Sequence, residues 1–185
     1  MSGFTILTVC TGNICRSPIA AQLLRAELAD DRIAVRSAGV YAMVGDGMPE
    51  EARLVSRSLG GDPDGHHPTQ LSPAVLSDVD LVLTAELRHR ADVVRMHPRA
   101  SRHAFTLKQF ARLASLVDDN ELTTVDAPAA ALQLIASKRG IAAPVPVGDD
   151  EIADPYLKPF PAYEECGREI AGTVTAIARV FNASR

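Results

Sequence analysis

The stretch "FTILTVCTGNICRSPIAAQLL", Phe4 to Leu24, constrains the fold more than any other part of the chain. Phe4 to Val9 is a short, nearly continuous apolar run, the pattern of a strand buried on both faces. Ile19, Leu23, Leu24 and Leu28 then recur at helical spacing, with Ser17 and Pro18 offering an N-cap and a first-turn proline. The intervening residues therefore form a strand-to-helix loop. Ile33 to Ala38 reads as a second strand, Glu50 to Leu59 as a helix, Asp78 to Ala85 as a third strand and Glu86 to about Met96 as a helix. Ala104 to Thr106 is a candidate fourth strand. This alternation predicts an α/β fold, a doubly wound three-layer sandwich around a parallel sheet of about four strands. Ligands of such sheets sit at the carboxyl ends of the strands, and Cys10 lies at one.

The later chain is less regular. Asp126 to Arg139 reads as an alanine-rich helix, "AAPVPVGDD" as a loop, and Tyr163 to Asn182 as a long closing helix. No repeat or domain boundary stands out, so residues 1–185 are expected to form a single domain. The hydrophobic fraction of 46% with only 4% aromatics predicts an aliphatic core. A net charge of −4 argues against general affinity for nucleic acid or membranes. No run approaches a membrane span, no leader pattern opens the chain, and three cysteines give no disulfide framework. These features fit a soluble protein of a reducing cytoplasm.

The loop itself carries the chemistry. A cysteine with an arginine six positions later is weak evidence alone, and a redox or buried cysteine near a surface arginine is the plain alternative. Position strengthens it. A turn between a buried strand and a helix N-terminus points backbone N–H groups at one spot and adds positive potential. That field favours a thiolate at Cys10, a nucleophile needing no separate base. Arg16 offers a planar fork for two phosphate oxygens, and Gly12 lets the backbone approach an anion closely.

Cys10-Thr11-Gly12-Asn13-Ile14-Cys15-Arg16-Ser17-Pro18 resembles the phosphate loop of the low-molecular-weight protein tyrosine phosphatases. The Asp154-Pro155-Tyr156 segment resembles their late general-acid motif. The likeness runs from Phe4 to about Leu107 and again from Asp154 to the C-terminal helix. It implies hydrolysis of phosphotyrosine through a phosphocysteine, with no metal or other cofactor. Cys10 would take the phosphoryl group, Arg16 and the backbone of Thr11 to Ser17 would bind its oxygens, and Ser17 would donate to the sulfur. Ser17 as a helix N-cap is the plain alternative, and one side chain can serve both roles. Asp154 would protonate the leaving phenolate and then act as base toward water; a turn aspartate before proline is its plain reading. Ser37 and His66 match the family residues that hold the loop asparagine, here Asn13.

The chain also departs from the pattern. Leu157 stands where many members carry a second aromatic residue, and Tyr41 or Met43 stands where they carry Trp or Tyr, leaving Tyr156 as the principal pocket wall. Ile14 occupies the position where members acting on phosphoarginine carry Thr, which favours an aryl phosphate. The connection from Ala111 to Asp150 is longer than usual. Two rivals remain open: an arsenate reductase of the same fold relying on an external thiol, since only Cys166 follows the loop, and a module that binds phosphotyrosine without hydrolysis.

Overall fold

The computed structural model describes residues 3–125, 127–146 and 148–183. Four parallel strands, β1 (Phe4–Cys10), β2 (Ile33–Gly39), β3 (Leu81–Thr84) and β4 (Ala104–Thr106), form one sheet in the order β2-β1-β3-β4. β1 is central and reaches 0–1% exposure at Ile6, Leu7 and Val9, which is why its sequence is almost continuously apolar. Its register sets Cys10 beside Gly39 and Val9 beside Thr84. The strand order reverses across β1, so the crevice at its carboxyl end is the position where such sheets bind ligands.

On one side, α1 (Arg16–Glu27), α5 (Leu107–Ala114) and the long α8 (Phe160–Ala183) cover the sheet through a core holding Ile19, Leu23, Phe110, Val174 and Phe181. A second apolar cluster packs Leu7, Val9 and Val82 with Leu76, Val93 and Ala100. The latter come from α3 (Pro73–Leu76), α4 (Leu87–Met96) and the 3-10 turn Pro98–Arg102. α2 (Glu50–Ser58) packs near α8.

The long connection contributes α6 (Asp119–Thr123), α7 (Pro128–Ser137) and a 3-10 turn, Lys138–Gly140. Leu122, Ala131, Leu132 and Ile135 join the same core as α1 and α8. The expected helix from Asp126 to Arg139 is thus shorter, because Pro128 starts it and the last turn tightens; Asp126 lies outside the described residues. Arg139 leaves that turn to lie 3.5 Å over the Phe105 ring while donating to the Ala104 carbonyl at 2.5 Å. The third strand is shorter than Asp78 to Ala85, and α8 begins three residues before Tyr163. Among the described residues, no helix is long and apolar enough to cross a membrane.

Candidate active site

The loop between β1 and α1 turns around its own carbonyls. Those of Cys10, Thr11 and Gly12 accept from Val40, Tyr41 and Met43, each at 3.0 Å. The Asn13 carbonyl accepts from His66 Nε2 at 2.7 Å. Each peptide plane holds its C=O and the next N–H in opposite directions, so tying the carbonyls outward turns the following N–H groups toward the loop centre. Among the described residues, the N–H groups of residues 11–15 donate to no acceptor.

Asn13 makes this turn possible with a left-handed backbone, φ 55°. Its side-chain amide donates to Ser17 Oγ at 2.9 Å and accepts from the Thr69 N–H at 2.8 Å. Among the described residues Ser37 makes no hydrogen bond to Asn13, contrary to the sequence expectation: Asn13 turns toward the 66–69 segment rather than toward the serine on β2. Gly39, at the end of β2, is required for a different reason. A Cβ there would meet the Thr11 carbonyl oxygen at 2.4 Å and the Asn13 nitrogen at 2.9 Å.

The Ser17 expectation also changes. α1 starts at Arg16, Cys15 occupies the cap position, and no side chain caps the helix. Ser17 sits inside the first turn, with its Oγ 3.0 Å from Cys10 Sγ and 3.2 Å from the Ala38 carbonyl. Having accepted from Asn13, this hydroxyl has one hydrogen for those two acceptors. Ionised sulfur would draw it, because hydrogen bonds to charged groups are the stronger ones.

Arg16 is the largest side chain in the interior below 2% exposure. One terminal nitrogen, NH1, pairs with Glu86 and donates to the Ile152 carbonyl at 3.1 Å. NH2 reaches Asp154 Oδ2 at 2.6 Å and Thr11 Oγ1 at 3.4 Å. Its buried Nε has no hydrogen-bond partner among the described residues. Burial opposes the charge, yet Cys10, Asp154 and Glu86 together hold the guanidinium above its ordinary pKa. Burial likewise opposes the Glu86 carboxylate, but hydrogen bonds from Arg88 and Arg16 win and lower its pKa. Neither Glu86 nor Ile152 was found from sequence. The glutamate is the cap-position residue of α4, and its only sequence signal is a charge just past the end of β3; the Ile152 carbonyl carries no side-chain signal.

Asp154 comes to the same crevice from the chain before α8. Its side chain is 39% exposed, and Oδ1 accepts from the Tyr156 N–H at 3.2 Å. Upstream, Asp150 accepts two bonds from Arg112, Glu151 accepts from the Leu87 N–H, and Ile152 donates to the Ala85 carbonyl. A cavity of about 170 Å³ opens between the loop and Asp154, lined also by Ile14, Tyr41, Met43 and Tyr156. Leu157, expected in this pocket, is not part of its lining. It is 83% exposed with a left-handed backbone, φ 60°, which turns it away.

Cys10, Cys15 and Cys166 are free and buried. Burial, reinforced by negative charge at Cys10 and Asp154, pushes the Cys15 thiol far up; burial pushes Cys166 up to about 12. Among the described residues there is no cluster of three His, Cys, Asp or Glu side chains that could hold a metal.

The family profile described as low molecular weight phosphotyrosine protein phosphatase matches residues 5–126, which include the whole loop. The chain belongs to this family. A probable low molecular weight protein-tyrosine-phosphatase of Erwinia amylovora, AmsI, is 43% identical over 94 residues, 51% of this chain and 64% of that relative. The matched stretch therefore spans a little under two thirds of that relative's length. A protein-arginine-phosphatase of Geobacillus stearothermophilus is 37% identical over 107 residues, 58% of this chain and 71% of the relative. The YwlE arginine phosphatase structure from the same organism superposes with a TM-score of 0.70 at 28% identity, covering 95% of this chain and 90% of that one. The tyrosine phosphatase Wzb of Escherichia coli K30, in complex with sulphate, gives 0.68 at 26% identity, covering 94% and 95%. The family fold thus reaches beyond the profile match to include the Asp154 segment and α8.

Proposed function

We propose that this chain hydrolyses aryl phosphate monoesters, phosphotyrosine in proteins above all, through a phosphocysteine at Cys10. The observation that carries the reading is the set of N–H groups of residues 11–15, without acceptors and grouped around Cys10 beside the unpartnered Nε of Arg16. Donors held this way stabilise charge developing on transferred oxygens without reorganising during the reaction.

In the first step Cys10 sulfur attacks phosphorus while the phenolate leaves and takes a proton from Asp154. Arg16 exchanges its Asp154 contact for phosphate oxygens, which frees the carboxyl group to face the leaving oxygen. In the second step Asp154 takes a proton from water as its oxygen attacks phosphorus. The sulfur leaves as thiolate, stabilised by the Ser17 hydroxyl. Phosphate is released. The residues need no metal or organic cofactor for either step. Tyr41, Met43 and Tyr156 would contact the aromatic ring of the substrate. The extension, sharing the core with α1 and α8, would belong to the same domain. Three reduced cysteines suit a reducing cytoplasm, and neither nucleic acid nor a membrane is a partner in this reading.

A phosphoarginine substrate is the second reading, favoured by the Geobacillus relative's name. Ile14 weighs against it: it places an apolar side chain, only 4% exposed, at the cavity where a hydroxyl would be expected. An arsenate reductase would have to rely on an external thiol, because the strongly raised Cys15 and Cys166 are poor internal relays. Hydrolysis of p-nitrophenyl phosphate with EDTA present tests the proposal. Wild type should turn over, whereas Cys10→Ser should bind phosphate or vanadate without turnover. A wild type that only binds would indicate a recognition module, and arsenate-dependent thiol oxidation would indicate the reductase.

A further inference from the structure

Behind the loop, the first turn of α4 carries a buried histidine that the two-step reaction does not use. His89 is 1% exposed, and its Nε2 lies 2.9 Å from the hydroxyl of Thr11. Its Nδ1 is buried and has no hydrogen-bond partner among the described residues. Burial pushes this imidazole down to about 4, with Arg16 and Arg88 adding to the effect and Glu86 and Asp92 opposing it. At neutral pH the ring therefore carries one N–H.

That single proton has two possible places. If it sits on Nδ1, Nε2 accepts from Thr11, and a buried N–H is left without an acceptor. If it sits on Nε2, the ring donates to Thr11 Oγ1, and only a lone pair on Nδ1 is left without a donor. Orphaned buried N–H groups are the rarer arrangement in folded proteins. The second tautomer also fits the neighbouring arginine: Arg16 NH2 donates toward the same Thr11 oxygen at 3.4 Å. An oxygen accepting from both sides must direct its own hydrogen elsewhere. Thr11 lines the cavity between Cys10 and Asp154, and its hydroxyl makes no other hydrogen bond among the described residues.

Resting on the phosphatase reading above, we infer that His89, as its Nε2–H tautomer, is a positioning residue that makes the Thr11 hydroxyl a side-chain donor to the bound phosphoryl group. The backbone amides and Arg16 then have a further donor beside them, held by a residue that touches no substrate. The arrangement is legible in geometry alone, since Thr11 and His89 lie 78 residues apart.

Two measurements test it. In wild-type protein labelled at histidine with 15N, the imidazole nitrogen shifts report which nitrogen of His89 carries the proton. The protonated position should be Nε2; a proton on Nδ1 overturns the inference without touching the phosphatase assignment. Inorganic phosphate and vanadate affinities are then compared for wild type, Thr11→Val, Thr11→Ser and His89→Gln. Losing a donor to a charged group should weaken oxyanion binding about tenfold or more in Thr11→Val. Thr11→Ser restores the hydroxyl, and His89→Gln keeps a donor at the Nε2 position, so both should stay within about threefold of wild type. Thr11→Val binding as wild type does overturns the inference alone. A wild type that binds neither oxyanion and hydrolyses no phosphate ester overturns the phosphatase reading and this inference with it. The tautomer measurement needs no variant, so misfolding of a substituted protein cannot rescue the idea.

Discussion

The Cys10–Ser17 loop and the Asp154 loop, the phosphate and acid loops of the proposed reaction, meet at one guanidinium but are built on opposite principles. Around the first, from Cys10 to Ser17, nearly every polar atom other than the inward N–H groups has a fixed partner, and Asn13, Arg16 and Ser17 are no more than 1% exposed. Around the second, the chain is anchored up to Ile152 and then loosens: Asp154 is 39% exposed on its side chain, and Leu157 is 83% exposed. The contrast matches the work the proposed reaction gives to each. Electrostatic stabilisation depends on dipoles already in place when charge develops. In the proposed reaction Asp154 gives a proton and then activates water, so it must exchange partners between steps, which suits a segment whose contacts are few.

Replacing Arg16 by Lys is expected to have the largest effect. The charge remains, but the fork that meets Glu86, Ile152 and Asp154 together is lost, and kcat/KM should fall on the order of 10³-fold. Steady-state kinetics on an aryl phosphate checks this. A decrease under threefold would mean that charge alone, not the preset geometry, defines the loop.

The rigidity behind the loop should also be visible as pH-dependent stability. His89 has a folded pKa of about 4, below its ordinary 6.5, so the native state favours the neutral ring. Its contribution is present above about pH 6.5 and is lost as pH falls toward 4, on the order of 3 kcal/mol in all. Urea unfolding of wild type and His89→Gln between pH 7 and 4.5 should show a shallower loss in the variant. Parallel curves would mean that the imidazole protonates without cost and the turn of α4 is not a rigid brace.

Asp154→Asn probes the other loop through leaving-group chemistry. p-Nitrophenolate leaves readily, its conjugate acid having a pKa of about 7, whereas phenolate, near 10, needs a proton. Pre-steady-state phenol release should slow on the order of 10²-fold for phenyl phosphate and less than tenfold for p-nitrophenyl phosphate. Equal slowing would remove Asp154 from the acid role, and Asp149, Asp150 and Glu151 would be examined in turn. The smallest effect belongs to Leu157→Gly. Relief of the left-handed backbone offsets the extra entropy that glycine gives the unfolded chain, so stability should change by less than about 1 kcal/mol. A larger loss by thermal unfolding would show that the acid loop depends on the leucine side chain.

The same contrast separates what the sequence made legible from what it did not. β1, the Cys10 loop and α1 were readable because apolar periodicity and a contiguous motif are local signals. α1 starts two residues earlier than the Ser17 cap and Pro18 first turn implied, because the hydroxyl that resembled a cap faces the Cys10 sulfur and the Ala38 carbonyl instead of the helix N-terminus. Thr69 in place of Ser37, and Glu86 and His89 behind the loop, depend on how β2 and β3 flank β1, a juxtaposition with no local trace. The extension was obscure for a related reason: its short helices owe their form to a core assembled from distant parts of the chain, and α6 has only five residues.

The central claim is that the preset loop exists to receive a phosphoryl group on sulfur. Rapid mixing of wild type with excess p-nitrophenyl phosphate, a quench that preserves phosphocysteine, and mapping by mass spectrometry test it most directly. The account predicts one phosphoryl group on Cys10, appearing with the burst of p-nitrophenol and absent from Cys10→Ala. A burst of product with phosphate on another residue, or steady turnover retained by Cys10→Ala, would contradict it.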